Sequence, residues 1–327
     1  MSVPRVGICY DNKSMGRDDG PPLYWRFQLK KLEEEGLIES VFFFPNGDFS
    51  TVGKLDLLIW VDWGEDAVQP HLPYRIKVPD SAPIAYVSSD THLGWKYRRD
   101  FARKHAKYAY FNQKRAVEEY GEPNEGQTVS WLPHAFEPAV WRPGVWNGTE
   151  WADAVPKKKW DWCMVGHMQT AVNPNGMTRL DAIDRLYREF PDGYYGSRDP
   201  YQPGKNMFED AVSTFNASRA VFNISIGDDV NMRDFEALGT RSCMVRNRID
   251  TIGEIFEDGT HFIGYSDYDS MVEAVRRAKD NPKEASAIAE AGYAESMAKH
   301  TYRHRVLRVL TDAGILPGDM APPLPFL

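Results

Sequence analysis

Cysteine is scarce. The 327 residues hold three, Cys9, Cys163 and Cys243, far apart and odd in number. Each lies in an apolar, strand-like run, which excludes a disulfide framework and predicts buried, reduced thiols. No apolar stretch approaches the length of a membrane span, and no leader-type segment opens the chain, so a cytoplasmic protein is expected. No G-x-G-x-x-G follows a strand-like segment, which argues against a dinucleotide-dependent oxidoreductase. Cationic excess is lacking too. The net charge is −8, so the molecule as a whole does not advertise nucleic-acid binding. There is no internal repeat, and no His or Cys cluster proposes a metal.

What is present is alternation. Short apolar runs at Val6 to Tyr10, Ser40 to Phe44, Leu55 to Trp60, Ile84 to Ser88, Tyr108 to Phe111 and Val129 to Leu132 read as strands. Helical patterns stand between them, at Tyr24 to Glu35 and Lys114 to Tyr120. From 138 to 159 the pattern lapses into Pro, Gly and Trp and is expected to be a linker. The alternation restarts with strands at Trp162 to Val165, Ala220 to Ile224, Cys243 to Arg246 and His261 to Tyr265. The helices here are Thr178 to Glu189, Met232 to Leu238, Tyr268 to Lys279, Pro282 to Lys299 and Tyr302 to Ala313, with Asn281 as the expected cap of the fourth. This is an α/β chain of parallel sheets covered on both faces.

The most informative stretch is Ser225 to Thr240, SIGDDVNMRDFEALGT. A strand ends, a polar loop crosses its carboxyl edge, and a helix begins. In open α/β sheets ligands bind at that edge. A helix start offers amides and a positive dipole end to an anion, and Arg233 can add a guanidinium fork for phosphate. Glu236, one turn on, can accept hydrogen bonds from paired hydroxyls such as a ribose diol. Asp228 and Glu236 are carboxylates with seven residues between them. A diphosphate beside a sugar suits this constellation; helix capping by the loop is the bland alternative.

Met164-Val-Gly-His167, Phe222-Asn-Ile-Ser225, Asn231-Met-Arg-Asp-Phe-Glu-Ala-Leu-Gly239, Gly253-Glu-Ile-Phe-Glu-Asp-Gly259 and His300-Thr-Tyr-Arg-His-Arg305 resemble the nucleotide-sugar domain of GT-B glycosyltransferases. The branch is that of CgeB-like proteins and the group-1 C-terminal domains. Ser89-Asp-Thr-His92 and Trp131-Leu-Pro-His-Ala-Phe136 resemble the same branch more loosely. The resemblance implies two Rossmann-like doubly wound domains facing across a cleft. Residues 1–137 would form the acceptor-side domain, with a helix at about 302–315 packing back on it. Residues 160–301 would bind the nucleotide sugar, and 316–327 would be a tail.

It also implies an enzyme that moves a hexose or pentose from a nucleoside-diphosphate sugar, UDP favoured, to an acceptor hydroxyl. No cofactor or metal is expected, and the acid–seven–acid spacing leans toward retention. By motif, Glu236 would hold the ribose, and Asp228, with Asp229 as its alternative, would lie near the sugar. Gly227, Asn231, Arg233, Gly166, His167 and Arg179 would complete the donor site, and Arg246, Asn247 and Arg248 would line the base pocket. His92 would orient the donor sugar or take the acceptor proton; Asp90 would be the base or would orient His92. His134 is a weaker candidate.

Acceptor contacts are expected from Asp18 and Asp19 in the Gly16–Gly20 loop and from the basic run Lys96 to Lys107, chiefly Lys96, Arg98 and Arg99. That run is a solvated helix face or a surface for a polyanion, DNA with hydroxymethylated bases included. A GT-B epimerase and a non-catalytic nucleotide-sugar-binding protein are the alternatives.

Overall fold

The computed structural model of the protein describes residues 2–10, 20–43, 53–62, 82–92, 94–146, 150–154, 156–168, 170–196, 208–227 and 229–321. The chain divides into two compact units, Met1–Pro133 with Tyr302–Leu327, and His134–Thr301.

The first unit is built on six parallel strands: β1 (Arg5–Tyr10), β2 (Glu39–Phe43), β3 (Leu57–Asp62), β4 (Ile84–Ser88), β5 (Tyr108–Phe111) and β6 (Thr128–Trp131). Their order is β2-β1-β3-β4-β5-β6, so the winding reverses between β1 and β3. β3 and β4 are buried along their whole length, which is why they read as continuous apolar runs. Among the described residues three helices connect strands: α1 (Pro21–Glu34), α2 (Trp95–His105) and α3 (Lys114–Glu118). α1 starts on Pro21 and Pro22, whose missing N–H groups cost nothing in a first turn. α2 turns Arg98, Phe101 and Ala102 inward at i, i+3, i+4 spacing.

Residues 138–159, expected as a linker, lie within the second unit. They carry a two-stranded hairpin, β7 (Val145–Trp146) with β8 (Trp151–Ala152). Trp141 is buried, its ring 5.7 Å from that of Phe215. The Asn216 side chain donates to Arg142 O and accepts from Gly144 N, so the segment is pinned by buried polar contacts.

The second unit is a five-stranded parallel sheet of β9 (Trp160–Val165), β10 (Tyr194–Gly196), β11 (Ser218–Asn223), β12 (Met244–Asn247) and β13 (Ile263–Tyr265), ordered β10-β9-β11-β12-β13. Its winding reverses between β9 and β11. The helices are α4 (Arg179–Glu189), α5 (Phe208–Asn216), α6 (Met232–Gly239), α7 (Asp250–Gly253), α8 (Tyr268–Asp280) and α9 (Pro282–Lys299). Asn281 does not cap α9 with its side chain; its Nδ2 donates back to Arg277 O instead. Finally α10 (Tyr302–Asp312) returns to the first unit. Its Arg305 Nε donates to Pro133 O at 2.7 Å, and its Asp312 accepts from the Tyr110 hydroxyl at 2.9 Å. No helix among the described residues is long and apolar enough to cross a membrane.

Candidate functional site

In a doubly wound sheet the carboxyl ends of the two strands flanking the reversal splay apart and leave a crevice. In the second unit those ends are Val165-Gly166-His167 after β9 and Asn223-Ile224-Ser225 after β11. Two buried arginines bridge them. Arg179, at the start of α4, donates Nη1 to His167 O at 3.0 Å and donates Nε and Nη2 to Ile224 O at 3.2 and 3.1 Å. Arg233, in the first turn of α6, donates Nε to Val165 O at 2.6 Å and Nη1 to Asn223 Oδ1 at 2.7 Å. The guanidinium of Arg233 lies so close to Gly166 that a Cβ there would overlap Nη2. Gly166 therefore serves packing, a reason its place in a turn did not suggest.

Arg179 differs in its charge balance. Its hydrogen-bond partners are all carbonyls, and among the described residues no carboxylate lies within ion-pair distance of it. Burial pushes its pKa below the ordinary guanidinium value. A buried cation held only by neutral dipoles favours an arriving anion.

Arg246 is not exposed to a base pocket, contrary to expectation. It is fully buried in β12 and forms a two-pronged ion pair with Asp234, Nε to Oδ1 at 3.1 Å and Nη2 to Oδ2 at 3.2 Å. Asp234 also takes a hydrogen bond from Asn223 Nδ2 at 2.6 Å and closes a capping box with Asn231 at the start of α6. Asn231 thus acts as a helix cap, accepting from Arg233 N at 3.0 Å, and so occupies an amide expected to meet phosphate. Asn247 Oδ1 accepts from Ser225 N at 2.8 Å, and its Nδ2 donates to Asn175 Oδ1 at 3.0 Å, tying the loop before α4 over the ends of β11 and β12. Tyr265 OH donates to Asn223 O at 2.7 Å.

The remaining donor-side candidates divide. Glu236 is on α6 but only 1% exposed. Gly227 is half-buried with open space where a Cβ would stand. Asp229 is half-buried, and its carbonyl accepts from Arg246 Nη2 at 3.5 Å. His167 is exposed. Asp228 lies outside the described residues, as do Asp18 and Asp19. Among the described residues, no group of three His, Cys, Asp or Glu side chains could hold a metal.

In the first unit, Arg98 corrects the reading of the basic run. It is fully buried and donates Nη1 to Asp62 Oδ2 at 2.7 Å and to Ser88 Oγ at 3.0 Å, with the Tyr86 hydroxyl on the same carboxylate. It is a core ion pair at the ends of β3 and β4, unavailable to a polyanion. Arg103 donates to Tyr120 O and Glu122 O. Lys96 is exposed, and Arg99 is half-buried at 3.7 Å from Asp100. His92 is exposed and hydrogen-bonded to Gln113. Asp90 precedes it with a left-handed backbone, φ 48. His134 is buried, in the second unit.

Sequence reasoning missed Asn223, Asp234 and Gln113. Asp234 had a signal, three residues after Asn231 in capping-box spacing; the other two show their partners only in three dimensions.

This architecture is the GT-B fold, the fold of a large class of glycosyltransferases. Residues 180–311 match the family model described as glycosyl transferase-like, from α4 through α10. Among solved structures the chain is similar to HepE from Anabaena in complex with UDP and glucose, with TM-score 0.62 and 11% identity over 95% of this chain and 100% of that one. It is similar to sucrose-phosphate synthase from Thermosynechococcus elongatus, with TM-score 0.63 and 10% identity over 94% and 98%. It also resembles a putative UDP-N-acetylglucosamine 2-epimerase from Listeria monocytogenes, with TM-score 0.53 and 11% identity over 95% and 97%. No curated protein matches in sequence.

Proposed function

We propose that the protein is a glycosyltransferase that takes a sugar from a UDP-sugar and passes it to an acceptor hydroxyl. The observation that carries this reading is Arg179: a buried guanidinium that bridges the ends of β9 and β11 through carbonyls and has no carboxylate partner among the described residues. Glycosyl transfer leaves negative charge on the departing diphosphate. A cation already desolvated and oriented stabilises that charge without reorganising as the bond breaks. HepE, of the same fold, binds UDP and glucose in this class of architecture. The reading does not rest on Glu236, whose carboxylate is buried before any ligand arrives.

The finer features belong to the same proposal: transfer with retention, independence of metal, and a cytoplasmic setting. A polyanionic acceptor draws less support than the donor, because Arg98 is spent inside the first unit. An epimerase of this fold would use the same donor crevice, and it would convert a UDP-sugar without releasing UDP.

The test is ligand-induced thermal stabilisation. UDP and UDP-glucose at ~100 times their Kd should stabilise the wild type by roughly 2.7 kcal/mol. Arg179→Gln should lose most of that gain, with Arg179→Lys intermediate. A wild type unmoved by UDP-, GDP-, ADP-, CDP- and dTDP-sugars alike would remove the donor site.

A further inference from the structure

The turn at 91–92, which follows β4, is held by Gln113 from the next strand's end, beside the Asn112 contact to Ser89. Gln113 directly follows Asn112 at the end of β5 and stands at the N-cap position of α3, yet its amide does not cap that helix. It reaches across to the turn at 91–92 instead. Its Oε1 accepts from the Thr91 hydroxyl and from His92 N at 3.3 Å, and its Nε2 lies 3.1 Å from His92 Nδ1.

These contacts fix the orientation of the amide. His92 N–H can only donate, so the atom facing it must be the amide oxygen. The other end of the amide is then the NH2 group, and it donates to Nδ1. A nitrogen that accepts a hydrogen bond carries no proton, so the neutral ring holds its proton on Nε2. Nε2 has no hydrogen-bond partner among the described residues, and the side chain is exposed. The left-handed backbone of Asp90, costing about 1 kcal/mol for a residue other than glycine, sets the tight turn that delivers His92 to Gln113.

We propose that Gln113 is a positioning residue that locks His92 as the Nε2–H tautomer, so that the imidazole presents a hydrogen-bond donor to a substrate oxygen and is not a general base. His92 then steadies an oxygen lone pair of the bound substrate. The substrate half of this inference rests on the nucleotide-sugar reading above; the tautomer does not.

Imidazole nitrogen spectra of 15N-histidine-labelled protein test the tautomer directly, with His92→Ala identifying the resonances of this ring among eight histidines. Wild type should show the Nε2–H form. Gln113→Glu puts an acceptor where the donor was and should move the proton to Nδ1. Gln113→Leu should leave the ring averaging between the two forms. An Nδ1–H ring in wild type, or an unchanged pattern in Gln113→Glu, overturns the proposal.

UDP release from UDP-glucose reads the consequence. Loss of one oriented donor should lower kcat in Gln113→Glu and His92→Ala by about ten-fold or more, with KM changing less. A moved proton with UDP release within twofold of wild type overturns the donor role. Absence of UDP release from wild type with every nucleotide sugar strikes the proposed function instead, and the tautomer is still decided by the spectra.

Discussion

Gly166 shows how a single residue sets the crevice between the ends of β9 and β11. Arg233 cannot swing aside for a methyl group, because Val165 O and Asn223 Oδ1 hold its guanidinium. Gly166→Ala should therefore destabilise the protein by about 1–3 kcal/mol through overpacking and shift the end of β9. Urea denaturation gives the first quantity, and loss of UDP stabilisation out of proportion to it gives the second. Local pattern marked Arg233 at the start of a helix beside a strand end, and the family resemblance added Gly166, Arg179 and Asn231 at the same sheet edge. Neither revealed which charges cancel. Arg246 and Asp234 are twelve residues apart and Arg98 and Asp62 thirty-six, and nothing local couples them. So arginines that looked ready for ligands proved to be internal partners, while Arg179 forms no ion pair among the described residues.

At the scale of elements, α10 carries a pH response. Burial, reinforced by the adjacent Arg305 and Arg303, pushes the His304 imidazole down from 6.5 to about 4. The folded state thus favours the neutral ring. Stability is full above the unfolded value near 6.5 and is lost as the pH falls toward the folded value near 4. The loss from this group should reach about 2–3 kcal/mol. His304→Gln should flatten that part of the curve, seen as a urea midpoint that changes less between the two pH values.

Elements with strong punctuation were legible: Pro282–Lys299 with its leading proline, and Tyr108–Phe111 as an apolar run between polar neighbours. β10, three residues long, and α7, four residues long, are too short to show a period. The basic run from Lys96 to Lys107 showed its exposed face in sequence, but its inward stripe hides Arg98 among aromatics.

Across the whole molecule the three cysteines are buried and none forms a disulfide, one lying in the first unit and two in the second. Desolvation raises the thiols of Cys163 and Cys243 to about 12, so neither supplies thiolate near neutrality. Iodoacetamide should label the native protein negligibly and the urea-unfolded protein at three sites, counted by intact mass. Labelling of one site under native conditions would identify a unit that opens.

The division of the chain also bears on its birth. The second unit is one continuous stretch, whereas the first needs residues 302–312 to cover surfaces that its opening 133 residues leave bare. Val306, Val309 and Leu310 of α10 are almost wholly buried. During synthesis, then, the part made first cannot be finished first. α10 must leave the ribosome before α1 acquires its packing partner, and in that interval this face of the first unit is open to chaperones and to other nascent chains.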